Sequence, residues 1–385
     1  MLAKELDPRR HAAFFHERQP RTPCLVIDLE MVEARYRELR AAMPAAGIHY
    51  AVKACPEPEV IDTLAALGSS FDVASVPELD LCLARGVTPE RISYGNTAKK
   101  EEDIALAYQR GVRLFALDSL CELHKLSRAA PGAAVFCRIL VSNEGAQWPM
   151  SRKHGCSPDM AADLLTEARA LGLQPCGVSF HPGSQQLDPT AWQAGCDRAA
   201  SIFSRLRSRG IRLSLLNLGG GFPARYDPAV PGIDEYAKAI DAAAREAFGP
   251  QAMDFMVEPG RGIAGDAGVM WSQVILKDRK DHDDLLRWVF VDTGRFGGLA
   301  ETEGGAIRYP IIAAPERGGP TSPVILAGPT CDGVDIIYDD PPVCLPSSLQ
   351  VGDYLGFLSA GAYTAPYAAH CFNGFPPPQT YCFGS

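Results

Sequence analysis

Residues 48–86, IHYAVKACPEPEVIDTLAALGSSFDVASVPELDLCLARG, run twice through one pattern. IHYAVKA (48–54) and SSFDVAS (69–75) are short strand-forming runs, while PEPEVIDTLAALG (56–68) and VPELDLCLARG (76–86) space their apolar residues at helical intervals. Each helical stretch ends on a glycine, which closes a helix before the chain turns into the next strand. The pattern spreads in both directions. CLVIDL (24–29), ISYGN (92–96), RLFALD (113–118), AVFCRILV (134–141), QPCGVSFHPG (174–183), LSLLNLGGGF (213–222) and MDFMVEPG (253–260) read as further strands. Between them EMVEARYRELRAAM (30–43), KEEDIALAYQRG (100–111), SLCELHKLSRAA (119–130) and SPDMAADLLTEARALG (157–172) read as helices. Strand then helix, repeated about eight times at roughly 25 to 30 residues a unit, is the signature of a parallel α/β sheet, and eight units close into a barrel.

The texture changes after residue 265. Helical periodicity fades, and GVMWSQVILKD (268–278), LRWVFVDTG (286–294), SPVILAGPTC (322–331) and QVGDYLGFLSAGAY (350–363) read as antiparallel strands. At 385 residues the chain is long for one compact core, which fits two domains. The expected division is a (β/α)8 barrel over residues 28–265 and an all-β domain, a sandwich or barrel, over residues 266–385 with residues 1–27 added to it.

With 46% hydrophobic and 22% charged residues the chain has a soluble globular profile. A formal net charge of −9 argues against nucleic-acid binding, which needs a concentrated basic surface. The amino terminus, MLAKELDPRRHAAFFHERQP, has no apolar stretch suited to a signal peptide, and no window offers the run a membrane span needs, so no membrane partner and a cytoplasmic location are expected. The 12 cysteines form no CxxC pair, so each reads by default as a small buried hydrophobe and no metal site is expected.

The carboxyl ends of barrel strands face the active site. There the sequence places Lys53, Asp72, Arg138, His181, Ser184, the glycines Gly219, Gly220 and Gly221, and Glu258 with Gly260 and Arg261. Lys53 alone reads either as a lysine that reaches out to solvent or as a reactive amine. A triple glycine alone is a flexible turn, but beside an arginine in a second glycine turn it becomes an anion cradle. Neither turn matches GxGxxG or GxxxxGK[ST], so neither a dinucleotide nor a nucleoside triphosphate is indicated. A strand-end lysine, a phosphate cradle and a buried carboxylate together are what pyridoxal 5'-phosphate requires. Lys53 would carry the aldehyde, Glu258 would pair with the ring nitrogen and His181 would stack on the ring.

YAVKA, FDVAS, WPMSRKHGC, VSFHPGSQ, LNLGGGFP, EPGR, FGGLAE, GPTCDGVD and LSAGAYT follow one another in that order along nearly the whole chain. In this the chain resembles the pyridoxal-phosphate decarboxylases of the alanine-racemase fold class, in the ornithine/lysine branch. The resemblance implies that Lys53 links to the cofactor, that Ser184, Gly221, Gly260, Arg261 and Tyr363 hold its phosphate, that Glu258 faces the ring nitrogen, that His181 stacks, and that Asp72 and Arg138 line the pocket. It implies a head-to-tail homodimer with shared sites, in which Cys331 and Asp332 serve the neighbouring subunit. Cys331 would protonate the substrate α-carbon, and Asp292 and Asp332 would bind the distal amine. Without the resemblance, either aspartate reads equally as a solvated turn residue.

The sequence departs from the family pattern at Pro182, at Asn217 where Asp is common, and at Gly304 and Gly305 where acidic and polar residues are usual. These bear on the substrate more than on the reaction. The expected activity is decarboxylation of a basic L-amino acid, ornithine to putrescine first. Lysine, arginine, another diamino acid, carboxynorspermidine and diaminopimelate stand as alternatives, although CDGVD rather than a CESGD-like segment speaks against the last. A racemase commonly places arginine where Glu258 stands, and a non-catalytic homologue would not need to retain Lys53, Glu258, Arg261 and Cys331 together.

Overall fold

The computed structural model describes residues 7–150, 152–249 and 253–384. The chain forms two compact units, one of residues 36–223 and 231–262, the other of residues up to 35 with 224–230 and 263 onward.

The first unit is a closed barrel of eight parallel strands: Ala46–Ala51, Ser70–Val73, Ile92–Tyr94, Leu114–Leu117, Ala134–Arg138, Gln174–Ser179, Leu215–Asn217 and Asp254–Val257, the last returning to pair with the first. Local signals start its helices where the sequence reading puts them. Ser75, Ser119 and Ser157 each accept a backbone N–H of the following first turn, and helices Val76–Ala84 and Pro158–Ala170 carry proline in that turn. At Val76–Ala84 the cap is reciprocal, since Glu78 reaches back to accept the Ala74 N–H at 2.7 Å. The helices bury apolar faces such as Val60, Ile61 and Leu64, and Leu123 and Leu126.

The second unit is an eight-stranded curled sheet of Cys24–Asp28, Gly268–Asp278, Arg287–Val291, Ile311–Ala314, Thr321–Ala327, Ile336–Pro346, Tyr354–Phe357 and Gln379–Phe383. Two findings correct the sequence reading. CLVIDL is not a barrel strand: Cys24–Asp28 pairs antiparallel with Gly268–Asp278 and parallel with Gln379–Phe383. Its five residues are all buried, and a run of four apolar residues fits an inner strand of either sheet, so only its partners decide. The sheet is also mixed rather than antiparallel throughout, because Arg287–Val291 pairs parallel with Thr321–Ala327. Helix Pro8–Arg18 belongs to this unit and stacks Phe15 on Trp271, ring centroids 4.5 Å apart, beside Cys24, Val26, Val269 and Leu358. Among the described residues no helix is long and apolar enough to cross a membrane.

Candidate active site

Strand Ala46–Ala51 passes into a short turn, Val52–Ala54, that carries Lys53. The Lys53 amine donates to Asp72 Oδ2 at 3.0 Å; the lysine side chain is 45% exposed and the aspartate only 3%. An accessible amine is thus tethered to a buried carboxylate on the neighbouring strand and remains reachable.

Glu258 follows strand Asp254–Val257. Its Oε1 accepts from Asn217 Nδ2 at 2.6 Å, and Asn217 Oδ1 accepts the Gly219 N–H at 2.9 Å, which orients the amide. Burial foremost, then the Asp72 charge, pushes the Glu258 carboxyl up to about 7, against the opposing pull of Lys53, the Asn217 hydrogen bond and Arg138. Arg138 ends its strand; burial lowers its pKa while Glu258, Asp118 and Asp72 act to raise it. His181 is held well below the usual histidine range by burial and by the charges of Arg138 and Lys53, so its imidazole is neutral. Its Nδ1 accepts the Gly183 N–H at 3.1 Å, which leaves Nε2 as the protonated nitrogen.

The glycines stand against these residues. Gly219 has φ +68°, and a Cβ there would collide with the Phe180 carbonyl. A Cβ on Gly220 would sit 2.6 Å from the Glu258 carbonyl oxygen and 3.0 Å from His181 Nε2, and one on Gly221 would sit 2.7 Å from the Gly183 carbonyl oxygen. Glu258 N–H donates to Gly219 O at 2.8 Å, and Ala51 N–H to Pro259 O at 3.0 Å, so the EPGR turn is fastened to both neighbours. Arg261, 3% exposed, opens the helical turn after buried Gly260, and its Nε and Nη2 lie 3.3 and 3.1 Å from Ser184 Oγ. Barrel residues Lys53, Asp72, Arg138, His181, Ser184, Gly219, Gly220, Gly221, Glu258, Gly260 and Arg261 therefore come from strand ends that lie side by side.

The remaining expected residues lie in the β unit. Tyr363 takes φ +56°, uncommon for a tyrosine, in a segment tied down by Gly361 N–H donating to Gly265 O at 2.9 Å. Cys331 and Asp332 are exposed on the turn between Thr321–Ala327 and Ile336–Pro346, where Cys331 N–H donates to Asn373 Oδ1 at 2.8 Å. Asp292 is engaged inside its own unit: Oδ1 accepts from Ser272 Oγ at 2.7 Å and Gln273 N–H at 2.8 Å, and Oδ2 from Thr22 Oγ1 at 2.6 Å. The carboxylate ties residues 22, 272–273 and 292 of this unit together.

The sequence reading missed the pins of the site. Asp335, 2% exposed, accepts from Arg295 N–H, Thr330 N–H and Thr330 Oγ1 at 2.7 to 3.1 Å and thereby holds the turn that bears Cys331. Gly155 N–H donates to Asp118 Oδ2 at 2.7 Å, and His154 Nδ1 lies 3.1 Å from Thr97 Oγ1, which anchors the WPMSRKHGC loop to the barrel. Asp335 closes the glycine-bearing CDGVD turn, but neither it nor Asp118 carries a local mark of the backbone it holds.

A family model described as pyridoxal-dependent decarboxylase, pyridoxal binding domain, matches residues 29–265. The chain belongs to the pyridoxal-dependent decarboxylases. A lysine/ornithine decarboxylase of Selenomonas ruminantium is 34% identical over 365 residues, covering 94% of this chain and 90% of the relative. The structure of lysine/ornithine decarboxylase from Vibrio vulnificus complexed with cadaverine superposes with a TM-score of 0.87 at 30% identity, covering 98% of this chain and 99% of that one. The arginine decarboxylase of Paramecium bursaria Chlorella virus superposes at 0.89 with 28% identity, covering 98% and 100%. The barrel of this decarboxylase fits its family's cofactor. It offers an exposed amine for an aldehyde, a carboxyl group on a fixed amide for a ring nitrogen, and a buried guanidinium beside backbone that no side chain could enter for a phosphate.

Proposed function

We propose that this decarboxylase removes the carboxyl group of a basic L-amino acid, ornithine first, to give the diamine. The observation that carries the reading is the Lys53 amine held on buried Asp72 in the same barrel mouth as Glu258 and the Arg261–Ser184 pair. Pyridoxal phosphate, when bound, supplies the electron-accepting ring that allows the bond to the carboxylate to break. Lys53 would anchor it covalently, Glu258 would hold a proton at the ring nitrogen, and neutral His181 would lie against the ring. Asp72 and Arg138 would balance charge at the pocket wall, and Ser184, Gly219, Gly220, Gly221, Gly260 and Arg261 would hold the phosphate.

Cys331 and Asp332 act on the site of a second copy in a head-to-tail homodimer, Cys331 Sγ giving a proton to the substrate α-carbon and Asp332 receiving the distal amine. Their exposure on a pinned turn supports this, since a rigid, outward-facing acid and thiol are presented to a partner. The relatives named for lysine as well as ornithine favour lysine as the second substrate; one methylene changes pocket fit by only about 1 to 3 kcal/mol.

Carbon dioxide release by the loaded enzyme from ornithine, lysine, arginine and diaminopimelate, with a Lys53→Ala control, tests the reading. Ornithine is expected to react fastest, and the control not at all. Release from none of these would overturn the reaction, and faster release from arginine or lysine would overturn the substrate.

A further inference from the structure

Behind the Lys53–Asp72 pair lie two more polar side chains. Ala51, Asp72 and Ser93 are in register on three adjoining strands, and His49 is two residues before Ala51, so all four face the same side of the sheet. Ser93 is fully buried, and its Oγ lies 3.3 Å from His49 Nδ1, 3.5 Å from Asp72 Oδ1 and 3.4 Å from the Phe71 carbonyl oxygen. Barrel interiors are ordinarily filled by branched apolar side chains, and a buried hydroxyl beside a half-buried imidazole costs desolvation that hydrogen bonds must offset.

The bonds have a direction. Burial, against the opposing charge of Asp72, pushes the His49 pKa down to about 4, so the ring is neutral and carries one N–H. The Phe71 carbonyl hydrogen-bonds that ring, whose one proton sits on Nδ1 or on Nε2. In the Nδ1–H tautomer Ser93 Oγ receives rather than donates on the His49 side. Its single proton then goes to Asp72 Oδ1, because a carboxylate is a stronger acceptor than a peptide carbonyl. Asp72 Oδ2 is left facing the Lys53 amine at 3.0 Å.

We propose that His49 and Ser93 are positioning residues for Lys53: they hold Asp72 by its far oxygen so that its near oxygen stays on the amine. The proposal rests on the reading of Lys53 as the cofactor-linking residue. Two measurements on the full-length chain test it. In the cofactor-free protein, the pH dependence of Lys53 acetylation, followed by peptide mass spectrometry, reports the protonation of the amine. In the loaded protein, the pH midpoint of the cofactor's visible absorption band reports the protonation of the Lys53 nitrogen.

Ser93→Ala and His49→Phe are expected to raise the acetylation rate of Lys53 at pH 8 by about three- to tenfold, since a loosened carboxylate stabilises the ammonium less, and to move the absorption midpoint to lower pH. Ser93→Thr, which keeps the hydroxyl, is expected to restore both. Unchanged Lys53 titration in Ser93→Ala, even with lowered thermal stability, would overturn the proposal, and a shift in Ser93→Ala with none in His49→Phe would remove His49 from it. Borohydride reduction of the loaded protein separates the two readings: attachment to a residue other than Lys53 would sink the functional assignment, whereas the acetylation profile is read without cofactor.

Discussion

Glu258 and Asn217 show how one atom alters the chemistry of a site. An aspartate at position 217 could accept the Gly219 N–H but, when ionised, could not donate to Glu258; the asparagine does both. Asn217→Asp would place a second carboxylate beside a carboxyl already pushed to about 7. It is expected to raise that value further, read by NMR as an upward shift of the Glu258 titration in the cofactor-free chain, and an unmoved titration would refute the coupling. The elevated Glu258 pKa also has a stability consequence. Between about 4.5 and 7 the folded cofactor-free chain binds a proton that the unfolded chain releases, so the contribution of Glu258 is full below pH 4.5 and is lost as pH rises to 7. Glu258→Gln should flatten the denaturation profile across that window by up to about 3 kcal/mol, and an unchanged slope would refute the shift. The identity of Asn217 was visible in the sequence as a departure, but its partner lies 41 residues away and no local pattern names it.

At the scale of elements, the site depends on turns that tolerate one conformation. The glycine turn after Leu215–Asn217 runs against the 180–183 turn and the Glu258 backbone, and Gly219→Ala meets both a left-handed φ and the Phe180 carbonyl. We expect a loss of about 1 to 3 kcal/mol in thermal or chemical unfolding together with impaired cofactor retention. The turn carrying Cys331 is held by Asp335 instead, which a Cβ on Gly294 or Gly328 would strike. Asp335→Ala should lower turnover while leaving the absorption of the bound cofactor unchanged, since it frees the turn without touching the barrel. Altered cofactor absorption would place Asp335 in a different role. The repeated strand and helix units were legible because periodicity, serine caps and glycine exits act within a few residues. The turn pins were not, because Asp292 and Asp335 look alike in sequence and differ only in what reaches them.

Over the whole molecule, the chain enters through the β unit, builds the barrel, and returns to complete the sheet it began. Phe15 therefore supports a strand more than 250 positions later, and Phe15→Ala should cost about 3 kcal/mol in unfolding of the β unit, from lost burial against Trp271. If sites are shared between two copies, mixing inactive Lys53→Ala with inactive Cys331→Ala chains should restore about a quarter of full activity, because half the dimers then hold one intact site. No recovery on mixing would confine each site to a single chain. By itself the sequence determined the barrel, the change of architecture near residue 265 and the residue types gathered at the strand ends, since each rests on patterns read over a few neighbouring positions. Tertiary structure alone decided which strands Cys24–Asp28 pairs with, that Asp292 accepts from Thr22, Ser272 and Gln273, and that Asn217 orients Glu258. Each of these depends on which distant segment supplies the hydrogen-bond partner, and an apolar strand or a turn aspartate carries no local mark of that choice.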